Sequence, residues 1–169
     1  MKKQASRWRP AYVGLGSNLD SPRDNVAAAV RALDDIEATR LIRVSPLYRS
    51  APLDGSEQPD YINAVASLLT QLDVRGLLDQ LRRIELEQGR VRDSDKWAPR
   101  IIDLDLLLYS NAIIDEEGLK VPHPGVGERN FVLLPLADIA PHLKIPRLGS
   151  VASLAGRVDR CKPRIEKQS

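Results

Sequence analysis

The sequence predicts an α+β fold: a ferredoxin-like antiparallel sheet with helices packed against it, and extra elements in the C-terminal third. Three observations predict it. Apolar periodicity switches along the chain in the order strand–helix–strand–strand–helix–strand. The 169 residues suffice for one domain with a single core. A composition of 43% hydrophobic and 28% charged residues is that of a globular chain.

The elements follow in order. Ala11–Gly16 is an apolar strand closed by glycines. Ser21-Pro22-Arg23-Asp24 reads as a helix start, with Ser21 as cap, Pro22 at the first helical position and Asp24 reaching back. Val26, Ala29, Val30 and Leu33 then give the stripe of a half-buried helix. A second strand runs near Leu41–Arg49, where Pro46 lacks a backbone donor and marks an edge or bulge. Ala51–Pro59 is a Pro/Gly/acid loop, and Tyr61–Leu69 is the third strand. A second helix starts at the capping residue Asp73, buries Leu77, Leu78, Leu81 and Ile84, and stops at Gln88 before Gly89. After the charged loop Arg90–Pro99, Arg100–Tyr109 is the clearest strand of the chain. A short hairpin over Ala112–Val121, a Pro-His-Pro-Gly loop and a third helix over Asn130–Ile139 complete the pattern.

Charge, cysteine content and hydropathy narrow the function classes. Residues 1–10 carry four bases and no acids, and residues 157–169 carry five bases against two acids. The body, 11–156, therefore has 16 bases against 21 acids, so the basic pI of 8.8 belongs to the ends. These ends are expected to be peripheral tails on a single catalytic domain spanning 1–169. An acidic body disfavours nucleic acid as a partner. No apolar stretch reaches membrane-spanning length, and AYVGLGSNLD replaces the apolar core of a secretory leader. One cysteine, Cys161, excludes an internal disulfide. The expectation is a cytoplasmic protein with no membrane partner.

The chemistry concentrates in Arg100-Ile-Ile-Asp-Leu-Asp-Leu-Leu-Leu-Tyr109. Strand alternation puts Asp103 and Asp105 on one face, about 7 Å apart, and Ile102, Leu104, Leu106 and Leu108 on the core side. Two such carboxylates repel unless something positive lies between them, and Mg²⁺ fits, taking one or two carboxylates plus substrate phosphates. The alternative is a solvated strand face. Arg90, Arg92, Lys96 and Arg100, with Trp97 beside the last two, suit a polyphosphate, or form an ordinary charged loop with Asp93 and Asp95. Gly14-Leu-Gly-Ser-Asn18 weakly resembles a phosphate-cradling turn and reads better as a tight turn between strand and helix, and no Walker-type motif exists. Tyr61 and Asn63 share a strand face, where they either pack or offer a stacking ring and an amide to a heterocycle. His123 and His142 lack the partners of a zinc site.

Taken together, Gly14–Asn18, Ser45-Pro-Leu-Tyr-Arg49, Gln58-Pro-Asp-Tyr-Ile-Asn63, Arg83-Ile-Glu85, Gly89-Arg-Val-Arg92, Trp97–Asp105, Val121-Pro-His-Pro124 and Arg129-Asn-Phe131 resemble the 6-hydroxymethyl-7,8-dihydropterin pyrophosphokinases of folate biosynthesis. The similarity runs from about Ala11 to Leu143, while Lys96, Ala98 and Gly125-Val-Gly127 depart from the usual family residues. The resemblance implies pyrophosphoryl transfer from ATP, as co-substrate, to the pterin hydroxymethyl group. It implies that Asp103 and Asp105 hold two Mg²⁺ ions and act in catalysis with Arg90 and Arg92. It implies that Tyr61 and Phe131 enclose the pterin, Asn63 bonds its edge, Ser50 and Leu53 line its pocket, and Trp97 closes over it. Glu85, Arg92, Arg100, His123 and Arg129 fall on the nucleotide side. The partners implied are small molecules, ATP and a reduced pterin; a monomer is the simplest expectation for the chain itself. Two rival readings share the sequence: a ferredoxin-like RNA-binding module, which needs a basic, aromatic sheet face, and a metal-dependent phosphohydrolase using the same acidic pair.

Overall fold

Alternation of apolar and small residues makes β1 (Arg9–Ser17) the centre of the sheet. Ala11, Val13 and Leu15 face one side, Tyr12, Gly14 and Gly16 the other. The computed structural model describes residues 7–89 and 101–169. In chain order the further elements are α1 (Pro22–Asp34), β2 (Thr39–Val44), β3 (Tyr48–Ser50), β4 (Tyr61–Thr70), α2 (Val74–Glu87), β5 (Asp103–Tyr109) and β6 (Ile114–Glu116). They continue with β7 (Leu119–Val121), α3 (Asn130–Ile139), β8 (Lys144–Ile145), β9 (Gly149–Ser150), α4 (Val151–Arg157) and β10 (Ile165–Lys167).

The sheet order is β10-β3-β4-β1-β5, with β2 also on β4, and every pairing is antiparallel. Taking β2 and β3 as one interrupted strand, this is the ferredoxin-like order. The predicted strand Leu41–Arg49 is thus two strands. Pro46, without an N–H, falls in the gap, and Ser45 holds the break by accepting from the Val65 N–H at 2.9 Å.

Helices α1 and α2 pack on one face, where Val26, Ala29, Leu33, Leu77, Leu81 and Ile84 meet Ala11, Val13, Leu15, Leu104 and Leu106. Asp73 caps α2 by accepting from Gly76 N at 2.7 Å, and Gly89 takes the left-handed conformation that stops it. Ser21 does not cap α1 with its side chain. Its backbone is left-handed (φ 64°), and its carbonyl instead accepts from Asp24 and Asn25.

The other face is not left open. Leu107, Leu108 and Val65 pack there against Leu133, Leu136, Val151 and Leu154 of α3 and α4. The expected alternation holds from Asp103 to Leu106 and then slips. A register shift pairs Tyr12 with Leu108 but Val13 with Leu106, which turns Leu108 toward α3 and Tyr109 toward α2, its hydroxyl donating to Leu72 O at 2.6 Å. A covered face removes the RNA-binding reading, which needs an exposed one.

The ends also differ from expectation. Arg9 and Pro10 are strand residues paired with Thr70 and Leu69, and β10 pairs with β3. The basic residues there did not betray the strands, because both are made by neighbours already in the sheet. No helix among the described residues is long and apolar enough to cross a membrane.

Candidate active site

Cross-strand register builds the site. Asp103 pairs with Gly16, Gly16 with Asn63, and Asn63 with Tyr48, in one row across β5, β1, β4 and β3. Asp105 pairs with Gly14 one step along. Neighbouring strands lie ~4.8 Å apart, so Asp103 and Asn63 stand about 10 Å apart with a glycine between them. A Cβ on Gly16 would lie 3.4 Å from Asn63 Oδ1. These glycines are therefore not the expected turn. They are the floor of a cavity of about 280 Å³.

Three walls rise from that floor. The first is acidic, Asp103 and Asp105, both half-buried and lining the cavity on one face of β5. The donor set suits a hard divalent cation such as Mg²⁺, which takes few protein carboxylates and completes its shell with phosphate and water oxygens. Among the described residues no group of three or more His, Cys, Asp or Glu forms a closed metal cage.

The second wall carries cations and a ring: His123, Pro124, Arg129 and Phe131. The His123 N–H donates to Leu107 O at 2.9 Å, tying this loop to β5. Gly125 N donates to His123 Nδ1 at 3.0 Å, which places the neutral ring's own proton on Nε2, and Nε2 lies 4.0 Å from Asp105 Oδ1. The Arg129 guanidinium sits 5.8 Å from the centre of the Phe131 ring.

The third wall is Ser50–Asp54 with Gln58, Tyr61 and Asn63. Asn63 is buried, and its Nδ2 donates to Ser50 Oγ at 2.8 Å and to Tyr48 O at 3.3 Å. That fixes the amide's orientation toward the cavity. Asn18, also buried, donates to Gln58 Oε1 and Pro59 O, both at 3.2 Å, and anchors the base of the 51–59 loop.

Of the residues singled out in the sequence, Ser50, Leu53, Tyr61, Asn63, Asp103, Asp105, His123, Arg129 and Phe131 line this one cavity. Glu85 does not. It is buried behind β5, where its Oε1 accepts from Leu104 N at 2.7 Å, so it braces the strand between the two aspartates. Arg90, Arg92, Lys96, Trp97 and Arg100 lie outside the described residues. Sequence reasoning missed Gly14 and Gly16 as cavity floor, and Asn18 as a loop anchor. The Gly-x-Gly spacing, two apart on a strand, was the available signal.

Three comparisons bear on this geometry. Residues 12–141 match the family 7,8-dihydro-6-hydroxymethylpterin-pyrophosphokinase (HPPK). The chain is 53% identical to the 2-amino-4-hydroxy-6-hydroxymethyldihydropteridine pyrophosphokinase of Pseudomonas aeruginosa over 80% of this chain and 83% of that protein. It is 46% identical to the enzyme of the same name from Haemophilus influenzae over 85% of this chain and 89% of that protein. A crystal structure of Plasmodium falciparum HPPK-DHPS superposes with a TM-score of 0.70 over 92% of this chain at 14% identity, a likeness of fold, and this chain spans 42% of that one.

Proposed function

The chain belongs to the 7,8-dihydro-6-hydroxymethylpterin-pyrophosphokinase family, and from that premise we propose how its residues divide the work. As an ATP-dependent pyrophosphokinase of folate biosynthesis, it transfers a pyrophosphoryl group from ATP to the hydroxymethyl oxygen of 6-hydroxymethyl-7,8-dihydropterin. We assign the catalytic domain to the whole chain.

The pterin lies over Gly16, between Phe131 and Tyr61, with Asn63 and the Ser50–Leu53 backbone on its edge. The triphosphate lies toward Asp103, Asp105, His123 and Arg129. What supports this split is the row Asp103–Gly16–Asn63, an acidic end and an amide end with an empty floor between them. The hydroxymethyl oxygen attacks the β-phosphorus directly. The bond from that phosphorus to the oxygen bridging it to the α-phosphorus breaks, and AMP leaves with the electron pair. Asp103 and Asp105 would hold two Mg²⁺ ions, which when bound neutralise phosphate charge and polarise the reacting oxygens. Arg129 and the His123 Nε2–H offer donors to phosphate oxygens. Arg90, Arg92 and Arg100 add positive charge, and Trp97 closes over the substrates. The pterin's stacking and apolar contacts, with the loop 51–59, exclude water that would otherwise hydrolyse ATP.

We further read the chain as a cytoplasmic monomer. Both sheet faces are covered by its own helices, and the exposed thiol of Cys161 suits a reducing compartment.

The test is AMP release from ATP with Mg²⁺, with and without hydroxymethyl-dihydropterin. AMP that appears only with the pterin supports transfer; phosphate released without it supports the phosphohydrolase reading instead. Asp105→Asn should lower turnover by at least about a hundredfold while leaving the melting temperature near wild type. Near-normal turnover in that variant defeats the assignment.

A further inference from the structure

Two cavity residues, Arg129 and Phe131, flank a side chain that does not face the cavity. Asn130 is 1% exposed, and its Nδ2 donates at 2.8 Å to two carbonyls of the C-terminal segment, Asp159 O and Pro163 O. Both amide hydrogens are used on one short turn, which is itself shaped by Cys161 N donating to Asp159 Oδ1 at 2.7 Å. From that turn the chain runs directly into β10, whose partner is β3. The far side of that pairing is the third wall of the cavity. Ala51 N donates to Arg164 O at 2.9 Å, the Arg164 guanidinium lies 3.7 Å from Asp60, and Gln168 N donates to Leu47 O at 2.8 Å. Ser50, paired with Ile165, is the residue whose hydroxyl receives the Asn63 amide. The other end of α3 is tied to the same strand pair. Tyr48 donates to Asp138 Oδ2 at 2.5 Å, and Lys167 Nζ lies 3.1 Å from Asp138 Oδ1.

We infer that the C-terminal segment 159–168, clamped by Asn130, is a positioning brace that holds the Ser50–Ala51 wall and the Arg129–Phe131 wall at a fixed separation across the pterin. The two walls come from strands and helices far apart in sequence; α3 packs on β3 and β4 at Tyr48 and Val65, and the C-terminal segment adds a second link between the walls. The segment links them through Asn130 on one side and the β3–β10 pairing on the other. Arg164 and Lys167 add contacts to Asp60 and Asp138, and the clamp itself is one buried amide and the backbone. The inference rests on the reading of these walls as the pterin site. Asn130 acts through the residues it holds and touches no substrate, so it is a positioning residue.

Asn130→Ala removes the clamp. Glu166→Pro, at an exposed position in the middle of the three-residue β10, breaks the strand pairing without touching the core, and serves if the first variant fails to fold. Asn63→Ala is the control for the pterin site. The measurements on the full chain are KM for each substrate, kcat, and hydrogen exchange of the Ala51 amide. Each brace variant should raise KM for the pterin about tenfold, raise KM for ATP by a clearly smaller factor through Arg129, and move kcat little. In Asn130→Ala the Ala51 amide should lose protection, although Asn130 does not touch it. If Asn63→Ala raises the pterin KM but neither brace variant does, or if both KM values move together, the brace is wrong and the site stands. If Asn63→Ala leaves the pterin KM unchanged, the site reading fails and the brace with it.

Discussion

Glu85 is a carboxylate only 6% exposed, and a group so placed must be held by donors. Its Oε1 takes the N–H of Leu104, the residue between Asp103 and Asp105. Glu85→Ala should leave that amide without its acceptor, cost roughly 1–3 kcal/mol in thermal unfolding, and lower turnover as the aspartates shift. Glu85→Gln keeps an acceptor oxygen and should recover most of both. Wild-type melting and turnover in Glu85→Ala would remove the bracing role. Residues like this mark the boundary of what the sequence makes legible. The acidic pair could be read because a strand's period of two is local. The parts played by Glu85 and Asn130 could not, because their partners Leu104, Asp159 and Pro163 stand 19, 29 and 33 residues away. Gly14 and Gly16 carry a local turn signal that pairing on both sides overrides.

At the scale of elements, amphipathic stripes made α1 and α2 readable, and the mostly buried α3 lies over Asn130–Ile139 as expected. Elements whose existence depends on a neighbour were not readable. β10 is the short polar run Ile-Glu-Lys, and α4 has seven residues, started by the Ser150 side chain accepting from Ser153 N. The tie among β3, α3 and β10 has a pH signature. Burial, and then the hydrogen bond to Asp138, raise the Tyr48 phenol above its ordinary value. A raised acid contributes stability that is full below the unfolded tyrosine value of about 10 and is lost as pH climbs toward the folded one. Tyr48→Phe should therefore flatten the alkaline fall in stability while lowering stability at neutral pH by about 1 kcal/mol. Urea melts at pH 8 and above pH 10 check it; parallel losses in both proteins would contradict it.

For the whole molecule, the ferredoxin-like order and extra C-terminal elements able to cover part of the second face were legible; how fully they cover it was not. Helices α3 and α4 turn what would be an open platform into a walled cavity at one end of the sheet. Enclosure is what a transfer enzyme requires and an RNA platform lacks. It leaves Asp103 and Asp105 facing the cavity at one end of a row whose other end is an amide. In the proposed function these two carboxylates bind nucleotide by sharing divalent cations with its phosphates. Equilibrium titration with a non-hydrolysable ATP analogue, with and without Mg²⁺, on the wild type and on the Asp103→Asn/Asp105→Asn double variant, tests it most directly. Mg²⁺ should tighten binding to the wild type and have no such effect on the double variant. A double variant whose affinity still rises with Mg²⁺ as the wild type's does would contradict it.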